Sequence, residues 1–295
     1  MTERQLKLST GITMNVAIAG PADAPPAILL HGFPETHRTW AKLAERLDGE
    51  VRLIMPDLRG FGGSDRPSEV TAYATDLVIA DILALADALG IGQFALVGHD
   101  WGGAVAWAMA LRGLPQVTRL AIVNSPHPAI FQRSILTDDA QRAASQYMRA
   151  FRDPAMEEKV AAMGFDTFFD KSFAKHVDLA SIDPAERAQS IAEWSRPGAL
   201  TAMFNWYRAS LIAVPEMSEA AAMPEWVARG LPKVKIPVRV IWGLNDKALL
   251  PIQLEGLGEI GDEVEVFPLP GVGHFATWQA PDAVADALRP FLTER

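Results

Sequence analysis

The sequence predicts an α/β protein, a mostly parallel eight-stranded sheet flanked by helices and interrupted by an inserted helical lid. Two observations predict it. Eight short apolar runs, bounded by Gly, Pro and Asp, have the length of strands, and from the third onward they alternate with helical periodicity as in βαβ units. That alternation stops between about His127 and Lys233, where only helical patterns occur, and then resumes. The expected division is therefore residues 1–126 and 234–295 for the sheet-bearing core, with 127–233 as the lid.

The runs justify themselves in order. Gln5 to Leu8 and Met14 to Ala19, separated by Thr10-Gly11, read as a paired antiparallel edge. Ala27 to Leu30 is a short strand ending at His31-Gly32-Phe33-Pro34, Trp40 to Leu47 is helical, and Val51 to Met55 is a strand before the Gly-rich loop D-L-R-G-F-G-G-S at 57–64. That loop lacks the Lys-Ser/Thr of a phosphate-binding P-loop. Asp76 to Leu89 is a helix stopped by Gly90, Phe94 to Val97 a strand, Gly103 to Arg112 a helix, and Thr118 to Val123 a strand. In the lid the main helical candidates are Ile130 to Ala150, Met156 to Met163, Ala185 to Trp194 and Gly198 to Ala209. Val238 to Trp242 and Val264 to Pro268 return to the sheet, and Asp282 to Leu292 closes as an amphipathic helix.

Composition narrows the function. The 295 residues are 49% hydrophobic and 21% charged, enough to bury a large core, and the net charge of −9 argues against a nucleic-acid surface, which relies on clustered Lys and Arg. With no cysteine there is no disulfide and no thiolate metal site. The first residues lack the apolar core of a secretory signal, and no apolar run approaches the ~18 residues of a membrane span. A cytoplasmic location and no membrane span are expected.

The chemistry centres on A-L-V-G-H-D-W-G-G at 95–103. A strand, a sharp turn and a helix there form the setting in which G-x-S-x-G displays a nucleophile, but the displayed residue is Asp100. Two further ionisable residues follow strands, Asp246 after V-R-V-I-W-G-L-N and His274 after V-E-V-F-P-L-P-G-V-G. Ligands bind at the carboxyl ends of strands in open α/β sheets, so Asp100, Asp246 and His274 are expected to meet as nucleophile, acid and base. Taken singly, an Asp after a strand is often a turn former or helix cap, as Asp57, Asp65 and Asp246 could each be. Three coincident strand-end positions favour chemistry.

These motifs, with H-G-F-P at 31–34, G-H-D-W-G-G at 98–103, G-L-N-D at 243–246 and G-H-F at 273–275, resemble the α/β-hydrolase superfamily along essentially the whole chain. An aspartate nucleophile resembles the branch containing epoxide hydrolases and haloalkane or haloacid dehalogenases. A carboxylate suits displacement at saturated carbon, giving an alkyl ester on Asp100. Water activated by His274, itself held by Asp246, would then hydrolyse that ester through an oxyanion bound by the backbone N–H groups of Phe33 and Trp101.

The leaving group decides between the two activities. An epoxide oxygen needs an acid such as Tyr, and two of the three tyrosines lie in the lid. Asn205-Trp206-Tyr207-Arg208 resembles the second lid tyrosine motif of epoxide hydrolases, and Tyr147, four residues before Phe151-Arg152-Asp153-Pro154, resembles the first. The bland reading of both is amphipathic packing. Haloalkane dehalogenases share the Trp101 position, but they resemble H-G-N-P where this chain has Phe33. A fluoroacetate-type enzyme would want Arg beside the nucleophile, where this chain has Trp101-Gly102-Gly103.

The resemblance thus implies an epoxide hydrolase acting on a small hydrophobic epoxide and water, without metal or cofactor. The alternatives are a dehalogenase using the same ester mechanism and a non-catalytic binding protein on this fold. Phe33, Trp101, Trp206 and Phe275 are expected around the substrate, with His31, Pro34 and His99 in support. His127 is expected at a hinge or the surface, and a homodimer is possible.

Overall fold

A computed structural model describes residues 1–293. Its strands are β1 (Thr2–Lys7), β2 (Thr13–Ala19), β3 (Pro26–Leu30), β4 (Arg52–Pro56), β5 (Phe94–His99), β6 (Val117–Val123), β7 (Val238–Gly243) and β8 (Val264–Leu269). They form one sheet in the order β1-β2-β4-β3-β5-β6-β7-β8. Pairing is antiparallel for β1 with β2 and β2 with β4, and parallel elsewhere. The order reverses direction at the β3–β5 neighbour pair, the kind of switch point beside which α/β sheets bind ligands.

Three helices lie among the first six strands: α1 (Ala41–Arg46), α2 (Thr75–Ala88) and α3 (Asp100–Leu111). Between β6 and β7 the chain forms helices and, among the described residues, no strand: α4 (Pro128–Thr137), α5 (Asp139–Ala144), α6 (Gln146–Arg152), α7 (Met156–Met163), α8 (Phe165–Phe173), α9 (Pro184–Trp194), α10 (Ala199–Ala209) and α11 (Glu225–Ala228), with an irregular stretch at 210–224. After β8 come α12 (Ala276–Gln279) and α13 (Pro281–Thr293). None of the described helices is long and apolar enough to cross a membrane.

The central strands are apolar on both faces because both faces are covered. Ile28, Leu30, Leu96, Leu120 and Ile122 pack with Ile82, Leu85 and Trp107 of α2 and α3. Their sequence neighbours Ala27, Leu29, Val97, Ala121 and Val123 point the other way, against Leu43 of α1 and Leu288 and Phe291 of α13. A period of two in direction with no polar face is the signature of a buried parallel sheet.

Periodicity from Ile130 to Ala150 reads as one helix, but the chain makes three. Asp138 is extended (φ −124°, ψ 115°), and its carboxylate accepts from Gln141 N at 2.6 Å, so it ends one helix and caps the next. Buried Gln141 then bonds Ala248 O (2.8 Å) and Leu250 N (2.9 Å) after β7, a tertiary contact that overrides the local pattern. Helix α8 was not among the sequence candidates, although Phe165, Phe168, Phe169 and Phe173 repeat at helical spacing.

The helical block is fastened to the rest of the chain by polar contacts. Arg38, just before α1, grips Glu186 and Glu193 of α9, with Nε to Glu186 Oε2 at 2.9 Å and Nη1 to Glu193 Oε1 at 2.7 Å. The Trp206 indole donates to Arg59 O (3.0 Å) and Asn205 Nδ2 to Ser68 O (2.9 Å), which sets α10 above the Gly-rich loop.

Candidate active site

Leu30, Gly98, Ile122 and Val240 are register partners in one row across β3, β5, β6 and β7. The segments just past that row carry Phe33, Asp100, Asn124 and Asp246. Strand register alone therefore gathers residues far apart in sequence. His274 arrives from the loop after β8.

Asp100 sits at φ +48°, a left-handed conformation that costs a non-glycine residue about 1–3 kcal/mol. The close packing around it explains the surrounding glycines. A Cβ at Gly102 would overlap the Leu30 carbonyl oxygen, one at Gly103 the Ser125 side chain, and one at Gly32 the Asp100 side chain itself. Ser125 Oγ donates to the Asp100 carbonyl at 2.7 Å and fixes the turn from β6.

Asp100 Oδ1 accepts from the Phe33 N–H at 2.7 Å. Its Oδ2 has no hydrogen bond among the described residues and lies 3.7 Å from His274 Nε2. The other imidazole nitrogen, Nδ1, is 2.7 Å from Asp246 Oδ2. Asp246 also accepts from Asn124 Nδ2 (2.9 Å), Ala248 N (2.8 Å) and Leu249 N (2.9 Å), so its orientation is fully determined. Asn124, like Asp100, is left-handed (φ +41°).

Burial opposes charge on His274, but the Asp246 carboxylate beside it, with Asp100 and Glu35, pushes its pKa up to about 9. Burial likewise opposes charge on Asp246, yet the His274 imidazolium and the backbone donors hold that carboxyl below its ordinary value. Both tyrosines are pushed up. Burial is the main cause, and the Asp100 charge adds to it in each case. Tyr147 and Tyr207 are therefore neutral hydroxyl donors across the physiological range, their rings edge to face at 6.0 Å.

Two cavities meet at Asp100, and both tyrosines line both of them. The larger, about 490 Å³, runs past Phe33, Pro34, Phe151, His274 and Phe275 to Lys171, Lys175 and Lys247. The smaller, about 70 Å³, is apolar, walled by Phe131, Met148, Ile212 and Leu249, with Trp101 on its edge. Trp206 lines neither. It is packed between Phe61, Tyr73 and Trp101 and faces a third cavity beyond Trp101. Its place in N-W-Y-R is explained by the indole bond to Arg59 O.

The supporting histidines tie turns together. His31 is fully buried, accepts from Leu58 N at Nε2 (3.0 Å) and so donates from Nδ1 to Gly32 O (2.8 Å). His99 lies 2.7 Å from Glu35 Oε2 through Nδ1 and 2.9 Å from the His274 carbonyl through Nε2, a buried pair beneath His274. Pro34 follows Phe33 through a cis peptide bond. His127, at the start of α4, is buried edge to face against Trp107, and not at the surface. Asp57 accepts from His37 N, His37 Nδ1, Asn15 Nδ2 and Gly63 N, which makes it a structural hub of the Gly-rich loop.

Glu35, Asn124 and His176 were missed in the sequence. The first two stand one or two residues past a strand-end motif, which is the signal that could have found them. His176 has none. Its ring lies 5.3 Å from that of His274 on the wall of the larger cavity, and burial, reinforced by the His274 charge, lowers its pKa to about 4.

Comparison with known proteins agrees with this architecture. The alpha/beta hydrolase fold family matches residues 25–281. The Bacillus subtilis AB hydrolase superfamily protein YfhM is 34% identical over 82% of this chain and 80% of its own length. Epoxide hydrolase 3 of Xenopus tropicalis is 29% identical over 97% of this chain and 76% of its own. A structure described among novel epoxide hydrolases from metagenomes of hot environments is 45% identical, with full coverage of both chains and a TM-score of 0.90. This chain belongs to the α/β-hydrolase superfamily, on the branch that its epoxide hydrolase relatives occupy.

Proposed function

We propose that the protein is an epoxide hydrolase that opens a hydrophobic epoxide to a vicinal diol through an ester on Asp100, with residues 127–233 as its cap. The observation that carries this reading is the pair of neutral phenols, Tyr147 and Tyr207, lining both cavities that contain the Asp100 carboxylate.

Oδ2, free of hydrogen bonds, attacks a ring carbon while the C–O bond breaks, and the alkoxide takes its proton from a tyrosine hydroxyl. Oδ1, already held by Phe33 N–H, becomes the ester carbonyl oxygen. Esterification removes the Asp100 charge that helps to hold His274 protonated, so its pKa falls; its proton passes through solvent to the tyrosinate left by ring opening, and the imidazole becomes available as a base. Water loses a proton to His274 and attacks Cγ. The oxyanion on Oδ1 is stabilised by Phe33 N–H, with the Trp101 N–H assigned as second donor; collapse expels the diol oxygen, which takes the proton of the new Asp100 carboxyl, so that the Asp100 carboxylate, the neutral tyrosine and protonated His274 are restored.

A single turnover in heavy-oxygen water tests this. The label should enter the Asp100 carboxylate while the first diol carries none from solvent. Labelled diol with unlabelled Asp100 would mean direct attack by water. Halide release from haloalkanes far faster than epoxide hydrolysis would point to a dehalogenase instead.

A further inference from the structure

Gln279, the last residue of α12, ties two distant segments together with one side-chain amide. Its Oε1 accepts from Gly273 N–H at 2.8 Å, and its Nε2 donates to His176 O at 2.7 Å. Gly273 immediately precedes His274, whereas His176 lies in the cap, just past the end of α8. The two main chains touch at this point. A Cβ at Gly273 would come within 2.8 Å of His176 O and 3.1 Å of Gln279 Oε1, so close approach accounts for the glycine. Beside the amide, Phe173 at the end of α8 stacks on Trp278 of α12 at 5.1 Å and meets Phe275 at 4.8 Å, which holds the seam shut with apolar contact.

Three rings enclose the His274 imidazole: His99 and Phe275, each at 4.9 Å, and His176 at 5.3 Å. The first two belong to the sheet-bearing core, and of the three only His176 comes from the cap. Its Nδ1 is shut off from solvent and bonds to no described group, an arrangement that costs stability and that a residue serving the fold alone would do better without. Burial, with the His274 charge beside it, keeps the ring neutral, so it covers the imidazole without repelling its charge. The other groups around this pair are Asp246 from the loop after β7, Asp100 from the turn after β5, Glu35 and His99 from the core, and Lys175 next to His176. The three carboxylates favour the imidazolium, and burial opposes it. Ester hydrolysis needs the neutral imidazole, so whatever keeps water off that ring favours the step.

We propose that His176 and Gln279 are positioning residues for the hydrolytic half-reaction: Gln279 latches the cap to the His274 loop, and His176, so held, closes the cavity side of the imidazole to solvent. This rests on the epoxide hydrolase reading and adds to it a contact through which the seated cap favours loss of the His274 proton.

Two titrations test it. One is the rate of ester hydrolysis against pH in single turnovers of styrene oxide. The other is the His274 midpoint in the free protein, read by NMR of ring-labelled histidine and assigned by its loss in His274→Gln. In His176→Ala both midpoints should rise by about one pH unit, so that hydrolysis below the midpoint slows about tenfold while the high-pH plateau holds within about twofold. Gln279→Met, which keeps the length of the side chain and loses both amide bonds, should shift them the same way. The double variant should shift no further than His176→Ala, because the latch acts through the ring. His176→Phe retains the cover and should leave the midpoints at or below those of the unaltered protein. An unmoved midpoint in His176→Ala or Gln279→Met overturns the inference, as does a loss of rate that is equal at every pH. So does a further shift in the double variant, or a Phe variant that shifts as far as the Ala variant. Failure to form an ester with any epoxide sinks the epoxide reading instead, and the NMR midpoints still decide whether the latched ring covers His274.

Discussion

The Arg152 guanidinium donates from Nε to the main-chain carbonyl of Tyr207 at 2.9 Å. The relationship is reciprocal, because Arg208, next to Tyr207, donates to Asp153 O (3.0 Å) and to both carboxylate oxygens of Glu157 (2.7 Å each). Each arginine belongs to the motif of one tyrosine and grips the segment that follows or carries the other. Tyr207 O accepts only a long bond from Ser210 N (3.3 Å) at the end of α10, and Arg152 adds a second donor there and another to Ile212 O just beyond the helix.

Arg152→Ala should therefore loosen the spacing between the two phenols. We expect the melting temperature to fall by roughly 2–6 °C and the single-turnover rate of ester formation to fall about tenfold, with ester hydrolysis little changed. Arg152→Lys should recover part of the stability. Equal slowing of both steps would show that the clamp acts on the whole site and not on the tyrosines.

Tyr147→Phe and Tyr207→Phe should each slow epoxide opening by about 10-fold to 100-fold, and the double variant by roughly 10²–10⁴-fold. Stopped-flow fluorescence of the nearby Trp101 reads the step directly. Opening at an unchanged rate in the double variant would leave the alkoxide without its acid and refute the assignment.

His274→Gln leaves the nucleophile in place and removes the base. The alkyl ester should form and persist, seen by intact mass as the protein plus one substrate, with turnover reduced on the order of 10³–10⁴-fold. Asp246→Asn should behave similarly, since Asn124, Ala248 and Leu249 would hold the amide while His274 loses its carboxylate.

The pH dependence has a definite sign. The pKa of His274 is raised from 6.5 to about 9, so the folded state binds its proton more tightly than the unfolded state does. The stabilisation is fully present below about pH 6.5 and is lost as pH rises through about 9, a contribution on the order of 3 kcal/mol. Chemical denaturation between pH 6 and about 10 should show this decline, and His274→Gln should flatten it. Ester hydrolysis should speed up with rising pH, with an apparent pKa below that of the free enzyme, because the ester has removed the Asp100 charge. A hydrolysis pKa equal to or above the free-enzyme value would contradict the charge argument.

Much of this was legible in the sequence because it depended on local pattern. Strand-length apolar runs give the sheet, and residues just past strand ends must share one edge, so Asp100, Asp246 and His274 could be placed together. Where tertiary contacts overrode local pattern, reading failed. Asp138 and Gln141 break an apparently continuous helix because Gln141 is claimed by the loop after β7. Trp206 looks like a pocket residue by its proximity to Tyr207, but the helix turns it toward Arg59 O, about 100° away from its neighbour. That Lys171, Lys175 and Lys247 share a wall of the larger cavity was invisible for a different reason: they come from two segments that only the folded chain brings together.

The β6–β7 pairing, which the helical block interrupts in sequence but not in space, has a further consequence. Tyr147 and Tyr207, and most of the wall of the larger cavity, come from residues between those strands. Asp246 and His274 come from the loops after β7 and β8, and Asp100 from the turn after β5. On the proposed mechanism, substrate choice and enzyme regeneration fall on separate stretches of chain apart from the latch at His176, so changes in α6, α8 and α10 should alter which epoxide is taken while ester hydrolysis at the sheet edge stays as it is.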